Sequence, residues 1–128
     1  MSITRHGITK ATEGLPIIPI VPIISRVVVR DDTVYVCGIT ANPLSDGDVA
    51  AQTKQALDTI DRLLETAGTD KSKLLTAQVW LSDMSLFEAH NAAWNEWVDP
   101  KNPPVRACVR ADLWRPNLCV EIMVTAAK

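Results

Sequence analysis

A stretch of helical periodicity between Asp48 and Ala67 constrains the fold of this chain more than any other feature of its sequence. Apolar residues recur there at intervals of three and four, with charged residues between them. Asp46 or Asp48 can cap the start of such a helix, and Gly68 suits the left-handed conformation that commonly follows its end. A long amphipathic helix needs an apolar surface to cover, so the rest of the chain must supply one.

Runs rich in β-branched residues supply that surface as strands. Asp31-Asp32 separates two such runs and predicts a tight hairpin turn, and Ser85-Leu86-Phe87-Glu88 has the pattern of a capping box that opens a second helix. The order is β-β-α-β-α-β-β, which predicts an α+β fold in one domain over residues 1–128. The predicted elements are strands at 26–30, 33–38, 74–81, 105–112 and 119–125 and helices at 48–67 and 85–98.

The N-terminal part has an unusual spacing of prolines, with Pro16, Pro19 and Pro22 at every third position. Because proline lacks a backbone N–H, this segment should run extended but unpaired, as a lid or an edge of the sheet. The prolines also interrupt the apolar run, which therefore predicts neither a signal peptide nor a membrane span. We expect a cytoplasmic protein without a membrane partner.

Composition excludes several classes of protein. The formal net charge of −2 over 128 residues gives no basic surface that would attract nucleic acid. The three cysteines and two histidines lack the spacing of a disulfide framework or a zinc site. No metal is expected.

Alternation along the predicted strands separates two faces of a sheet. One face is uniformly apolar and is the face that two helices would cover. The other is mixed yet too apolar to face water, so we expect a partner subunit on it. The covered face comprises Val27, Val29, Val34, Val36, Leu75, Ala77, Val79, Leu81, Val105, Ala107, Val109, Val120, Ile122 and Val124, and the other includes Val28, Tyr35, Cys37, Leu74, Thr76, Gln78, Trp80, Arg106, Cys108, Arg110, Cys119, Glu121 and Met123.

Three polar residues stand out against this background: Arg106 and Glu121 within strands, and Asn91 on the apolar stripe of the second helix. Antiparallel pairing of the last two strands would bring positions 106 and 121 together on one face. The pattern supports two interpretations. Arg106 and Glu121 form an interfacial ion pair while Asn91 ties a loop, or Arg106 holds a substrate carboxylate while Glu121 positions water.

Two further residues lie near these candidates. Cys108 shares a predicted face with Arg106, but no histidine is placed to activate its thiol, so we expect a wall residue instead of a nucleophile. His90 precedes Asn91 and points off the helix in another direction, so we expect it on the solvated surface of that helix.

The segment Pro104-Val105-Arg106-Ala107-Cys108-Val109, followed by Val120-Glu121-Ile122, resembles the C-terminal signature of the reactive-intermediate deaminase (Rid, YjgF-type) family. Val36-Cys37-Gly38 and the segments at 65–68, 77–83 and 87–94 resemble family segments in the same order. The resemblance implies a chorismate-mutase-like sheet with two helices on one face, assembled as a homotrimer with three clefts between subunits.

In that family the arginine matching Arg106 binds the substrate carboxylate, and the glutamate matching Glu121 is associated with the hydrolytic water. Residues matching Asn91 and Cys108 line the same cleft, and no metal or organic cofactor takes part. The family's deaminases commonly carry a tyrosine in the N-terminal segment and a serine before the glycine matching Gly38. Here Pro22, Ile23 and Ile24 occupy the first region and Cys37 the second, which resembles a divergent subgroup.

The resemblance thus implies hydrolytic deamination of enamine and imine acids, such as 2-aminoacrylate or 2-iminopropionate, to oxo acids and ammonia. The alternative is a protein that binds a small carboxylate metabolite in the same cleft without turnover. RNA cleavage, attributed to some relatives, fits the acidic balance of this chain poorly.

Overall fold

The computed structural model describes residues 2–10, 21–42 and 47–128. Within them the chain forms two α-helices and a seven-stranded mixed sheet, so the predicted α+β class is confirmed. The strands are β1 (Ile3–His6), β2 (Val27–Arg30), β3 (Thr33–Val36), β4 (Ile39–Thr40), β5 (Leu74–Leu81), β6 (Val105–Arg110) and β7 (Val120–Ala127), and the helices are α1 (Val49–Thr66) and α2 (Phe87–Trp97).

The sheet has the order β1-β2-β3-β7-β5-β6, and β4 pairs with β7 beyond the end of β3. All neighbouring strands are antiparallel except β5 and β6, which run parallel because α2 connects them as a crossover. The last strand of the chain therefore lies inside the sheet, between β3 and β5, and β6 is an edge strand.

Both helices cover one face of the sheet, and the core lies between these two layers. The apolar stripe of α1 contributes Ala56, Leu57, Ile60 and Leu64, all almost fully buried. The sheet contributes alternate residues of β2, β3, β5 and β7, which the alternation of those strands predicted except at the start of β5. The opposite face, called here the outer face, remains exposed in a single chain.

Local signals in the sequence set the ends of the elements. Asp31 adopts a positive φ of 52° in the two-residue turn between β2 and β3. Asp48 caps α1 by accepting a hydrogen bond from the Ala51 backbone N–H at 2.9 Å. Gly68, with φ of 80°, ends α1, while the Thr69 N–H bonds back to the Leu64 carbonyl.

One strand was not predicted, and three local predictions have other outcomes. Strand β1 was not expected, although it pairs along its length with β2. The capping box at Ser85 is wrong, because Asp83 instead accepts from the Ser85 N–H and opens a short 3₁₀ turn before α2. The alternative cap at Asp46 and most of the predicted extended segment, including Pro16 and Pro19, lie outside the described residues, while the end of that segment at Pro22 is described and belongs to no strand.

The predicted faces are wrong at two places. In β6, Arg106 and Cys108 stand beside Ala77 and Val79 of β5 on the helix-covered face, whereas the predicted core residues Val105, Ala107 and Val109 lie on the outer face. At the start of β5, a register shift between Leu74 and Thr76 turns Leu74 into the core and Leu75 outward. Alternation shows which residues share a face, but not which of the two faces the helices cover.

Candidate functional site

Arg106 lies in the edge strand β6, and its guanidinium turns beneath α2. Its Nη2 donates to Asn91 Oδ1 at 2.7 Å, its Nη1 lies 3.3 Å from His90 Nε2, and its Cζ lies 5.1 Å from the centre of the Trp94 ring. Within the described residues these contacts are with an amide, an imidazole and an indole. Neutral groups thus hold the cation in place without cancelling its charge, which leaves it available to an anion.

Helix α2 supplies all three of these partners. His90 and Trp94 are four residues apart and lie on its buried stripe, while Asn91 lies at the edge of that stripe and is half-buried. The expectation that His90 lies on the solvated surface is wrong, because its side chain is fully buried. The spacing of His90, Trp94 and Trp97 along the helix was the signal that could have placed it.

Cys108 follows Arg106 on the same face of β6 and packs against the core while remaining partly exposed. Burial raises the pKa of its thiol, and the nearby Arg106 only partly opposes this shift in pKa. A thiol that resists ionisation is a poor nucleophile, and the role of Cys108 as a wall residue stays a prediction.

A second group of polar residues lies where β3 leads into β4, next to β7. The carboxylate of Glu121 lies directly over Gly38, so closely that a Cβ at position 38 would overlap its Oε2. Cys37 lies beside Glu121 and within hydrogen-bond reach of the Arg26 side chain. Burial raises the pKa of both the Cys37 thiol and the Glu121 carboxyl.

Within one chain these two groups stand apart. Strand β5 separates β6 from β7, so the predicted pairing of the last two strands is wrong. Glu121 is opposite Trp80 on the outer face, whereas Arg106 is beside Ala77 on the helix-covered face. The structure therefore brings Arg106, Asn91 and Cys108 together and, separately, Cys37, Gly38 and Glu121. An Arg106–Glu121 ion pair within one chain is excluded by this geometry.

The part of the chain that the structure describes contains no cluster of three or more histidine, cysteine, aspartate or glutamate residues suited to a metal ion. In that same part, no helix combines the length and apolar character required to cross a membrane.

Comparison with known proteins gives concordant matches. A family model described as endoribonuclease L-PSP matches residues 19–128. A RutC family protein from Haemophilus influenzae is 40% identical over 103 residues, which cover 80% of this chain and 89% of that protein. The RutC family protein YoaB of Escherichia coli K12 is 41% identical over 103 residues, with the same coverage of 80% and 89%.

A similar match comes from solved structures. The crystal structure of a YjgF family member from Neisseria meningitidis superposes with a TM-score of 0.84 at 33% sequence identity. The superposition covers 100% of this chain and 96% of that one. The similarity therefore extends over the helices and strands that carry both polar groups.

Proposed function

This chain belongs to the endoribonuclease L-PSP family, whose members include YjgF and RutC proteins, and we propose that it hydrolyses enamine and imine acids to oxo acids and ammonia. The observation that carries this proposal is Arg106, a half-buried cation whose contacts in the described residues are all neutral. Such an arrangement is suited to a small carboxylate ligand, and 2-aminoacrylate and 2-iminopropionate are the substrates we infer.

Arg106 would hold the substrate carboxylate through two parallel N–H bonds. Its guanidinium has five N–H donors, of which His90 and Asn91 engage two, so a pair remains for a planar carboxylate. The cation–π contact with Trp94, at 5.1 Å from Cζ to the ring centre, is a third neutral contact of the guanidinium. Asn91 and Cys108 would line the same side of the ligand.

Glu121 would position the attacking water. Burial raises the pKa of its carboxyl above the ordinary value, which brings a general base closer to neutral pH. The carboxylate takes a proton from water as the oxygen bonds to the carbon of the protonated imine, and the electron pair of the C=N bond passes to the nitrogen. Glu121 then gives that proton to the amine nitrogen, the C–N bond breaks, and the hydroxyl proton leaves with ammonia as ammonium while the oxo acid forms. An enamine such as 2-aminoacrylate enters the same sequence after it tautomerises to the imine.

The two groups can act together only if different subunits supply them. We infer a homotrimer in which Arg106, Asn91 and Cys108 of one subunit face Cys37, Gly38 and Glu121 of a neighbour. Two observations support this assembly. The groups lie on opposite faces of one sheet, and the outer face exposes Val105, Val109 and Met123, which water would otherwise meet. A cytoplasmic location is part of the same proposal.

Ammonia release from freshly generated 2-aminoacrylate and 2-iminopropionate tests this function. Arg106→Ala should abolish turnover without changing assembly, and Arg106→Lys should also be poor because a point charge cannot reproduce the planar fork. Arg110→Ala is the matched control, since Arg110 occupies the same face of the same strand and is exposed. Near-normal turnover by Arg106→Ala would show that the site is elsewhere.

Binding without turnover is the second candidate function. The separation of Arg106 from Glu121 favours it, because a single chain can bind a carboxylate without the catalytic carboxylate. The Arg106 group is assembled within a single chain and needs no Glu121 to bind a carboxylate. Calorimetric binding of pyruvate, a stable oxo acid, together with no ammonia release from any imino acid would support this candidate. RNA cleavage is named in the description of the family model. It would replace both candidates if the purified protein degraded RNA and Arg106→Ala abolished that activity.

A further inference from the structure

His90 is a buried polar residue for which the proposed chemistry has no direct use. Its side chain is fully buried between α1 and β6, although α2 otherwise presents few residues to the core. Its Nδ1 lies 2.9 Å from Thr53 Oγ1 on α1, and its Nε2 lies 3.3 Å from Arg106 Nη1 on β6. Thr53 is also fully buried. The three side chains form a chain of contacts that links the two layers of the molecule.

The tautomer of His90 follows from its neighbours. Arginine has only N–H donors, so the contact with Arg106 requires that Nε2 carry a lone pair. The ring proton must then be on Nδ1, and Thr53 Oγ1 accepts it. Burial, with the positive charge of Arg106, lowers the pKa of His90 to about 4, so the ring is neutral at physiological pH and Nε2 stays an acceptor.

We propose that His90, held in its Nδ1-protonated tautomer by Thr53, is a positioning residue that aims the Arg106 fork at the substrate carboxylate. The inference rests on the proposed role of Arg106. A bidentate carboxylate contact needs one orientation of the guanidinium plane, whereas an arginine side chain has many rotamers. His90 fixes one terminal nitrogen and Asn91 the other, so the fork is ordered before the ligand arrives.

This role predicts a particular kinetic signature. The carboxylate remains unchanged throughout the reaction, so a better-aimed anchor stabilises the bound substrate and the transition state alike. Loss of His90 should therefore raise KM and leave kcat much less affected. A residue that only filled the core would instead lower the stability of the protein and leave the KM of the folded fraction unchanged.

Three variants test this inference with pyruvate as the calorimetric probe and 2-iminopropionate as the substrate. His90→Leu keeps the bulk but removes the acceptor, and affinity and kcat/KM should fall about 10- to 100-fold, as expected for one hydrogen bond to a charged group. His90→Gln offers an amide oxygen to Arg106 and should recover most of that loss. Thr53→Val frees the ring to change tautomer and should show an intermediate loss. His6→Gln, which replaces the other histidine of the chain, is the control.

Nitrogen NMR of the imidazole tests the inference without any ligand. In a His6→Gln background a single histidine remains, and its Nδ1 should be protonated and its Nε2 unprotonated between pH 6 and 8. An Nε2-protonated ring would overturn the inference. So would pyruvate binding by His90→Leu equal to wild type while Arg106→Ala abolishes it, and in that case the proposed function would survive. If Arg106→Ala also leaves pyruvate binding unchanged, both the inference about His90 and the proposed function fail.

Discussion

The chemistry of its surroundings is what suits Arg106 to its proposed role. An arginine paired with a carboxylate is satisfied, whereas Arg106 contacts an amide, an imidazole and an indole. The described contacts order the cation and leave its charge uncompensated. The surroundings of Glu121 act differently. Burial raises the pKa of its carboxyl, and the absence of a side chain at Gly38 leaves room for the carboxylate.

Glu121→Gln should lower imine turnover by roughly 10²- to 10⁴-fold, the range typical of general acid–base groups, because the amide keeps the shape and loses the base. Gly38→Ala should lower turnover in the same direction, since the new methyl group would push the carboxylate aside. Pyruvate binding should survive in both variants, because Arg106 still holds the ligand. Steady-state kinetics and calorimetry on the same preparations check this, and unchanged turnover in Glu121→Gln would remove the catalytic role.

The lowered pKa of His90 predicts a loss of stability in acid. The unfolded chain binds a proton at the ordinary pKa of 6.5, whereas the folded protein does so only near a pKa of about 4. The contribution of His90 to stability should thus be constant above pH 6.5 and fall between pH 6.5 and 4 by on the order of 3 kcal/mol, at about 1.4 kcal/mol per pH unit. Urea unfolding at several pH values, compared between wild type and His90→Gln, measures this. An equal pH dependence in both proteins would contradict the assignment.

At the scale of elements, the site depends on how α1 and α2 are seated on the sheet. Helix α2 brings His90, Asn91 and Trp94 to one guanidinium, and α1 supplies Thr53 behind them. Strand β6 lies at the edge of the sheet, so among the described strands only β5 pairs with the strand that carries Arg106. The crossover from β5 through α2 to β6 therefore supplies Arg106 and its three direct partners from one contiguous part of the chain.

The N-terminal cap of α1 offers a test at this scale. Asp48→Ala removes the acceptor for the Ala51 N–H and should lower the free energy of unfolding by about 1 kcal/mol. Asp58→Ala, an exposed carboxylate further along the same helix, is the control and should change stability by less than about 0.5 kcal/mol. Urea unfolding at one protein concentration compares them, and equal stabilities would show that this cap contributes nothing.

At the scale of the whole molecule, the outer face of the sheet exposes large apolar side chains to water in the single chain. Val105 is 72% exposed there, and Tyr35, Val109 and Met123 are each more than 40% exposed. Exposed apolar area of this kind is common at interfaces between subunits. The proposed trimer would cover this face and would also bring the two polar groups into one cleft.

Sedimentation equilibrium should give three times the mass of the chain at micromolar concentration. Met123→Lys should dissociate the assembly, because a charge would be buried in an apolar interface, and should abolish turnover together with it. Ala50→Lys, on the exposed surface of α1, is the control and should leave both intact. A stable, fully active monomer of the wild-type protein would refute the split site.

Much of the architecture followed from local patterns. The periodicity of α1, the hairpin at Asp31 and the strand Leu74–Leu81 are consequences of neighbouring side chains, and the structure has them where the patterns predicted them. The resemblance at Arg106-Ala107-Cys108 and Glu121 likewise indicated the family, because such motifs are visible along a single chain.

The tertiary structure decided which residues meet. Strand β7 inserts between β3 and β5, which separates Glu121 from Arg106, and β6 presents Arg106 to the helices although Val105 and Val109 have the more apolar alternation. The outer face of this sheet also carries large apolar residues, so the more apolar side of β6 was not the side that the helices cover. Strand pairing and the partners of His90, which are Thr53 and Arg106, depend on contacts between residues distant in sequence, and no local pattern encodes those contacts.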